Sequence, residues 1–220
     1  FQDFPYTRPD MDKLKLEFQG LLKQFEDAMD YSEQERVFVR INELRREFES
    51  MSQIASIRQT IDTTNSYYER EQEFFDENLP IYQGLIADFY KVLVNSRFRS
   101  QLEGKWGTQL FKMAELTLNT FRPEIIEDLQ VENKLTTEYT KLIASAKIFF
   151  EGEERNLSGL GPFLQSPNRE LRQKASEAKY AFFAEHEEAL DDIYDQLVKV
   201  RTRMAQKLDR KSTRLNSSHV

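Results

Sequence analysis

Cysteine is absent from the 220-residue chain. That excludes disulfides, thiolate metal sites and cysteine nucleophiles together, and a reducing, cytoplasmic setting is the expectation. Glycine and proline are scarce, with 7 and 6 residues, far too few for the closely spaced turns of an all-β chain. No apolar run approaches the roughly 20 residues that a membrane-spanning helix needs, and no signal-peptide pattern opens the sequence, so no membrane association is expected. Positive charge is also in deficit. The 31 lysines and arginines stand against 38 acidic residues, and a net charge of -7 repels nucleic-acid phosphates. Histidine occurs only twice, which withholds the commonest metal ligand and acid–base group.

What is abundant is charge and spaced apolar residues. A charged fraction of 31% beside a hydrophobic fraction of 39% fits helices that bury one stripe and solvate the rest. After an extended lead through Phe4, Pro5, Tyr6 and Pro9, Asp10 is placed to cap a helix whose stripe is Met11, Leu14, Phe18, Leu21 and Phe25. A break near Asp30 and Tyr31 precedes a second helix, with Ser32 and Glu35 reading as its capping box and Val37, Ile41, Leu44 and Phe48 as its stripe. A third helix starts between Thr63 and Ser66, and Pro80 should end or kink it. Gly107 and Pro123 mark further boundaries. Around Gly152 the period changes, and residues 147–157 read as the one short β-hairpin. Ser166 as cap and Pro167 at the first helical position then open a long helix from about 167 to 207. The expected fold is all-α: an N-terminal helical domain over 1–120, then a helical segment over 121–208.

From Asp209 the helical period stops. The stretch 209–220 resembles the translation of a sequencing-library adapter and is expected to be foreign to the protein. The chain opens on Phe1 rather than methionine, so at least one residue is expected before it. The final stripe runs up to Met204 and Leu208, and more polypeptide is expected beyond it to cover that face.

Candidate chemistry is thin. His186 begins His186-Glu187-Glu188-Ala189-Leu190. A zinc-peptidase HExxH helix needs a second histidine where Leu190 stands, so His186 on its apolar stripe is read as structural. The carboxylates Glu124, Glu127 and Asp128, and Glu187, Glu188, Asp191 and Asp192, read as solvated helix faces, with Glu170 and Lys174 as an i,i+4 pair. Tyr67, Tyr68, Phe74, Phe75, Phe149, Phe150, Phe182 and Phe183 are read mainly as core, with a cleft for apolar peptide side chains as the alternative. No glycine-rich phosphate loop and no serine-nucleophile elbow is present. No residue of this chain is therefore assigned a catalytic, cofactor-binding or metal-ligating role.

Several strings carry a likeness. Asp3-Phe4-Pro5-Tyr6-Thr7-Arg8-Pro9-Asp10, Ala55-Ser56-Ile57-Arg58-Gln59-Thr60-Ile61-Asp62-Thr63, Phe74-Phe75-Asp76-Glu77-Asn78, residues 141–147 and Glu153-Glu154-Arg155-Asn156-Leu157 resemble the oligoendopeptidase F branch of the thimet-oligopeptidase-like zinc metallopeptidases. The likeness extends over 1–208. It implies a nearly all-helical enzyme that cleaves short peptides, whose N-terminal helices form one wall of a substrate channel. It also implies a zinc held by an HExxH helix and a downstream glutamate, none of which matches a position in this chain. Without the resemblance, a helical scaffold or protein-interaction domain with no enzymatic role is the alternative.

Overall fold

The computed structural model describes residues 3–209, and these are mainly helical. Helix α1, Met11–Asp27, starts where its sequence dictates: the Asp10 carboxylate accepts the free N–H groups of Asp12 and Lys13. Helix α2, Tyr31–Ile61, is capped two residues earlier than Ser32 would place it. Asp30 accepts from the Glu33 N–H at 2.9 Å, and the Glu33 carboxylate accepts from Met29 at 2.8 Å. Glu35 is drawn off instead to the Lys105 ammonium, 2.5 Å away.

Helix α3, Ser66–Val94, does not end at Pro80. Proline has no N–H to give to the carbonyl four residues back, which is that of Asp76. Two side chains of helix α6, Ile126–Ala144, replace the lost bonding: Asn133 donates to the Asp76 carbonyl at 3.1 Å and Gln130 to the Glu77 carbonyl at 2.7 Å. Of the two outcomes expected at Pro80, an end to the helix is thus not the one taken.

Helices α4, Arg99–Trp106, and α5, Thr108–Leu118, turn about Gly107, whose φ of 86° favours glycine. Together α1 to α5 enclose the main core, in which Phe18, Ile41, Phe89, Leu93, Leu102 and Phe111 are fully buried. Each such phenylalanine contributes about 1.5–3 kcal/mol by leaving water. Edge-on contacts such as Phe25 on Phe89, with ring centroids 6.0 Å apart, add to that.

After a 3-10 turn at Pro123–Ile125, α6 packs across α3. Strands β1, Ile148–Phe150, and β2, Glu153–Arg155, then form the expected antiparallel hairpin. Its inward residues Ile148 and Phe150 build a second, smaller core with Leu160, Ala175 and Phe182, drawn from the 3-10 turn Ser158–Leu160 and helix α8, Arg169–Glu185. Helix α7, Gly161–Leu164, lies between them.

The expected C-terminal helix is present over nearly its whole range but is divided. Asn168, not Ser166, provides its cap, accepting from Glu170 and Leu171. At His186 the backbone leaves helical geometry (φ -107°, ψ 15°), and helix α9 follows as Glu187–Lys207. The division has a packing reason, because α8 belongs to the hairpin core and α9 lies along α6. No described helix is long and apolar enough to cross a membrane. Of the stretch 209–220, only Asp209 falls among the described residues, where Arg122 pairs with it at 2.7 Å; the rest of the foreign-tail expectation lies outside them.

Candidate functional site

The most elaborate polar arrangement lies where the N-terminal lead crosses α3. Pro5 and Pro9 hold the lead extended, and Tyr6 and Arg8 both reach Glu71, which is buried on α3. Arg8 grips the carboxylate with both arms of its fork, Nε to Oε2 at 2.9 Å and Nη2 to Oε1 at 2.7 Å, while the Tyr6 hydroxyl donates to Oε2. The guanidinium also lies 4.9 Å from the centre of the Phe74 ring. Hydrogen bonding from Arg8 holds the Glu71 carboxyl below the usual carboxylate range despite burial. Burial, then the neighbouring Glu71, pushes the Tyr6 hydroxyl well above its ordinary value.

Beside this clamp, a cleft of about 520 Å3 opens between α3 and α6. Asp76 lies at its floor, 4% exposed, accepting from Thr137 and from Gln72, each at 2.8 Å. Burial pushes its carboxyl up. The rim is charged, with Lys134 on Glu77 at 3.0 Å and Lys141 on Glu69 at 2.6 Å. A carboxyl of raised pKa in a cleft is a possible acid–base group in general, but both Asp76 oxygens are already engaged by donors. The cleft offers a surface on which both signs of charge are held in place by these pairs.

The residues singled out from sequence are dispersed. His186 is half-buried at the joint of α8 and α9. Its Nδ1 lies 2.9 Å from the Phe182 carbonyl and its ring 4.3 Å from the Phe182 ring, which is the structural part assigned to it. Glu124, Glu127, Glu187, Glu188, Asp191 and Asp192 are exposed. Asp128 departs from the expectation of a solvated face. It is 4% exposed and ties α9 to α6 through Arg203 at 2.8 Å and Lys207 at 2.7 Å. The Glu170–Lys174 pair does not form among the described residues; Glu170 is at the helix start, bound through its N–H to Asn168. The aromatics split. Phe75, Phe150 and Phe182 are core, Tyr68, Phe74 and Phe183 are half-buried, and Tyr67 and Phe149 are exposed at 47% and 76%. Phe74 lines the cleft between α3 and α6. Helix α9 buries Ile193, Val200 and Met204 yet leaves Tyr194 and Val198 exposed.

Sequence reasoning assigned no role to the Arg8–Glu71–Tyr6 clamp. A signal was present, because Glu71 falls on the same helical face as Phe75 and Tyr82 and so had to be either buried and paired or out of register.

Asp128 permits a direct test. Burial works to raise its pKa, but hydrogen bonds from Lys207 and Arg203 outweigh burial and hold it low. Its contribution is therefore present above the unfolded carboxylate value of about 3.9 and lost as pH falls through the lower folded value. Asp128→Asn is expected to cost about 1 kcal/mol at pH 7, because both cations keep solvent access. Urea titrations at pH 7 and pH 3 should show the deficit shrinking on acidification, and an equal deficit at both would refute the pairing.

The described residues form a helical wall with a charged cleft, and among them no group of three or more potential ligands is arranged to hold a metal. The chain belongs to the peptidase M3 family: the family model described as the Peptidase M3 N-terminal domain matches residues 1–121. Among solved structures it is similar to PZ peptidase A with an inhibitor, at 58% identity and a TM-score of 0.92, over 96% of this chain and 37% of that one. A protein described as an oligoendopeptidase F is 52% identical with a TM-score of 0.93, again over 96% and 37%. An oligoendopeptidase F from Bacillus anthracis str. Ames is 49% identical with a TM-score of 0.93, over 96% of this chain and 39% of its own length. The chain thus spans less than two fifths of each of these structures. No curated protein matches it. The family and the helical fold that the sequence resemblance implied are both met.

Proposed function

We propose that this chain is the N-terminal wall of a zinc-dependent, cytoplasmic oligoendopeptidase that hydrolyses short peptides, and that the HExxH machinery lies in polypeptide outside these residues. The observation that carries the reading is 58% identity over 96% of the chain to PZ peptidase A, matched over only 37% of that protein. The donor set agrees with a divided protein. One histidine among the described residues, no cysteine and no carboxylate cluster do not fit a catalytic zinc here. No step of peptide hydrolysis is assigned to residues of this chain. Their part is to shape and charge the wall against which a peptide lies: the Arg8–Glu71 clamp fixes the lead on α3, and the Lys134–Glu77 and Lys141–Glu69 pairs present both signs of charge along the cleft.

The test compares this chain, supplied with zinc, with the longer protein on a short quenched fluorogenic peptide. The longer protein should cleave it and lose activity to a chelator, while the 220-residue chain shows no turnover. Chelator-sensitive hydrolysis by the chain alone contradicts the inert wall, and a longer protein without hydrolysis contradicts the peptidase reading.

A further inference from the structure

The hairpin has a feature that its small core does not use. Its register pairs Phe150 with Glu153, Phe149 with Glu154 and Ile148 with Arg155. Glu151 (φ 51°) and Gly152 (φ 84°) form the two-residue turn, so Phe150 and Glu153 are the pair that exchanges both ladder hydrogen bonds. Antiparallel pairs alternate between bonded and non-bonded. The N–H and C=O of Phe149 therefore point away from β2, to the outer edge of β1. The sheet has two strands among the described residues, so that edge has no neighbour in it.

The side chains on the same spot are unusual for an edge. Phe149 is 76% exposed, whereas edges are ordinarily protected by charge or proline. Opposite it, on the same face, stands the exposed carboxylate of Glu154, with exposed Glu151 in the turn. Glu153 is taken by Arg155 at 2.8 Å, but neither Glu151 nor Glu154 has an ion pair among the described residues. The hairpin is also firmly held. Phe150 meets the Phe163 ring at 5.1 Å, Arg155 lies 4.6 Å over the same ring, and Arg155 Nε donates to the Phe150 carbonyl at 3.2 Å. Such an edge is ordered before anything binds, which lowers the entropy cost of binding.

We propose that the outer edge of β1 at Phe149 docks an extended peptide bearing a lysine or arginine, which adds as a third antiparallel strand. The inference rests on the peptidase reading for its class of ligand and on the hairpin for its place. A residue opposite Phe149 exchanges two backbone hydrogen bonds with it. Its side chain then shares the face of Phe149 and Glu154, so a basic side chain lays its methylenes on the ring and its charge towards the carboxylate.

The experiment titrates the blocked peptide acetyl-Thr-Val-Lys-Val-Thr-amide into the 15N-labelled 220-residue chain and follows amide shifts. The expected result is a saturable shift centred on Phe149 and Glu154. N-methylation of the lysine nitrogen should weaken binding about tenfold, while N-methylation of either valine, whose N–H points away from the edge, changes it less than about twofold. Phe149→Thr, which keeps a strand-favouring residue at an exposed position, should also weaken binding about tenfold.

The proposal is overturned by absence of binding, by shifts located elsewhere, or by affinity that ignores both the methylation pattern and Phe149→Thr. It is equally overturned if, in the longer protein without peptide, the Phe149 amide is protected from hydrogen exchange, because the edge is then covered by the protein's own chain. Hydrolysis by the longer protein is scored separately, so cleavage that persists beside a failed titration removes only the hairpin site.

Discussion

Replacing Arg8 by methionine should lower the stability of the fold by about 3 kcal/mol at pH 7. The loss does not come from Arg8 itself, whose side chain is 46% exposed, but from Glu71, which is left at 4% exposure without its cation. Breaking a buried pair from one side leaves the other charge uncompensated, and the single hydrogen bond from Tyr6 cannot replace a bidentate fork. The pH dependence has a definite sign. In the intact protein the Glu71 carboxyl is held low by Arg8, so its stabilisation is present above the unfolded value of about 4.3 and is lost as pH falls through the depressed folded value. In the variant the largest lowering influence is gone and burial is opposed only by the Tyr6 hydroxyl and the Arg70 charge, so that pKa rises and protonation relieves the defect. Urea melts followed by helical circular dichroism should therefore show a gap between the two proteins that is widest at neutral pH and narrows below about pH 5. A gap below about 0.5 kcal/mol at pH 7 would mean that the clamp is a surface contact of little weight.

Asn133→Leu should cost about 2 kcal/mol, and most of that cost should vanish when Pro80 is alanine. The leucine removes the amide that donates to the Asp76 carbonyl, leaving a carbonyl that Pro80 cannot satisfy, and an unmet buried acceptor costs about 1–3 kcal/mol. Alanine at 80 restores a backbone N–H four residues along, so the same carbonyl regains a partner. Pro80→Ala will have an effect of its own, because the ring is fully buried, but the double-mutant cycle subtracts it. The expected coupling is about 1 kcal/mol or more. Additive losses would show that α6 packs on α3 without serving its backbone.

These two variants mark where local pattern stopped being informative. Asp10, the stripe from Met11 to Phe25 and the glycine at 152 carry their instructions within a few residues, and the cap, the first helix and the hairpin follow from them. Pro80 is different, since the donors that let its helix continue come from Gln130 and Asn133, far along the chain. His186 is different in another way. The apolar period runs through Phe182, His186 and Leu190 unbroken, and it does not register a one-residue departure imposed by α8 and α9 packing on different partners. Asp128 has the same lesson. A carboxylate in an acidic run reads as solvated until a helix some seventy residues later brings Arg203 and Lys207 to it. The candidate cleft was illegible for that reason, because Arg8, Asp76 and Thr137 each look like ordinary surface residues until three segments meet. Only Glu71, on the buried face of α3, gave a local sign.

The most direct measurement is to sequence the gene continuously through the codons for Leu208 and Asp209. An open frame that runs on and encodes HExxH roughly 150 to 200 residues further, with a glutamate downstream, is the expected result. A stop codon within a few codons of Leu208 would contradict the peptidase wall, since the HExxH motif that the proposal requires would then have no place after it.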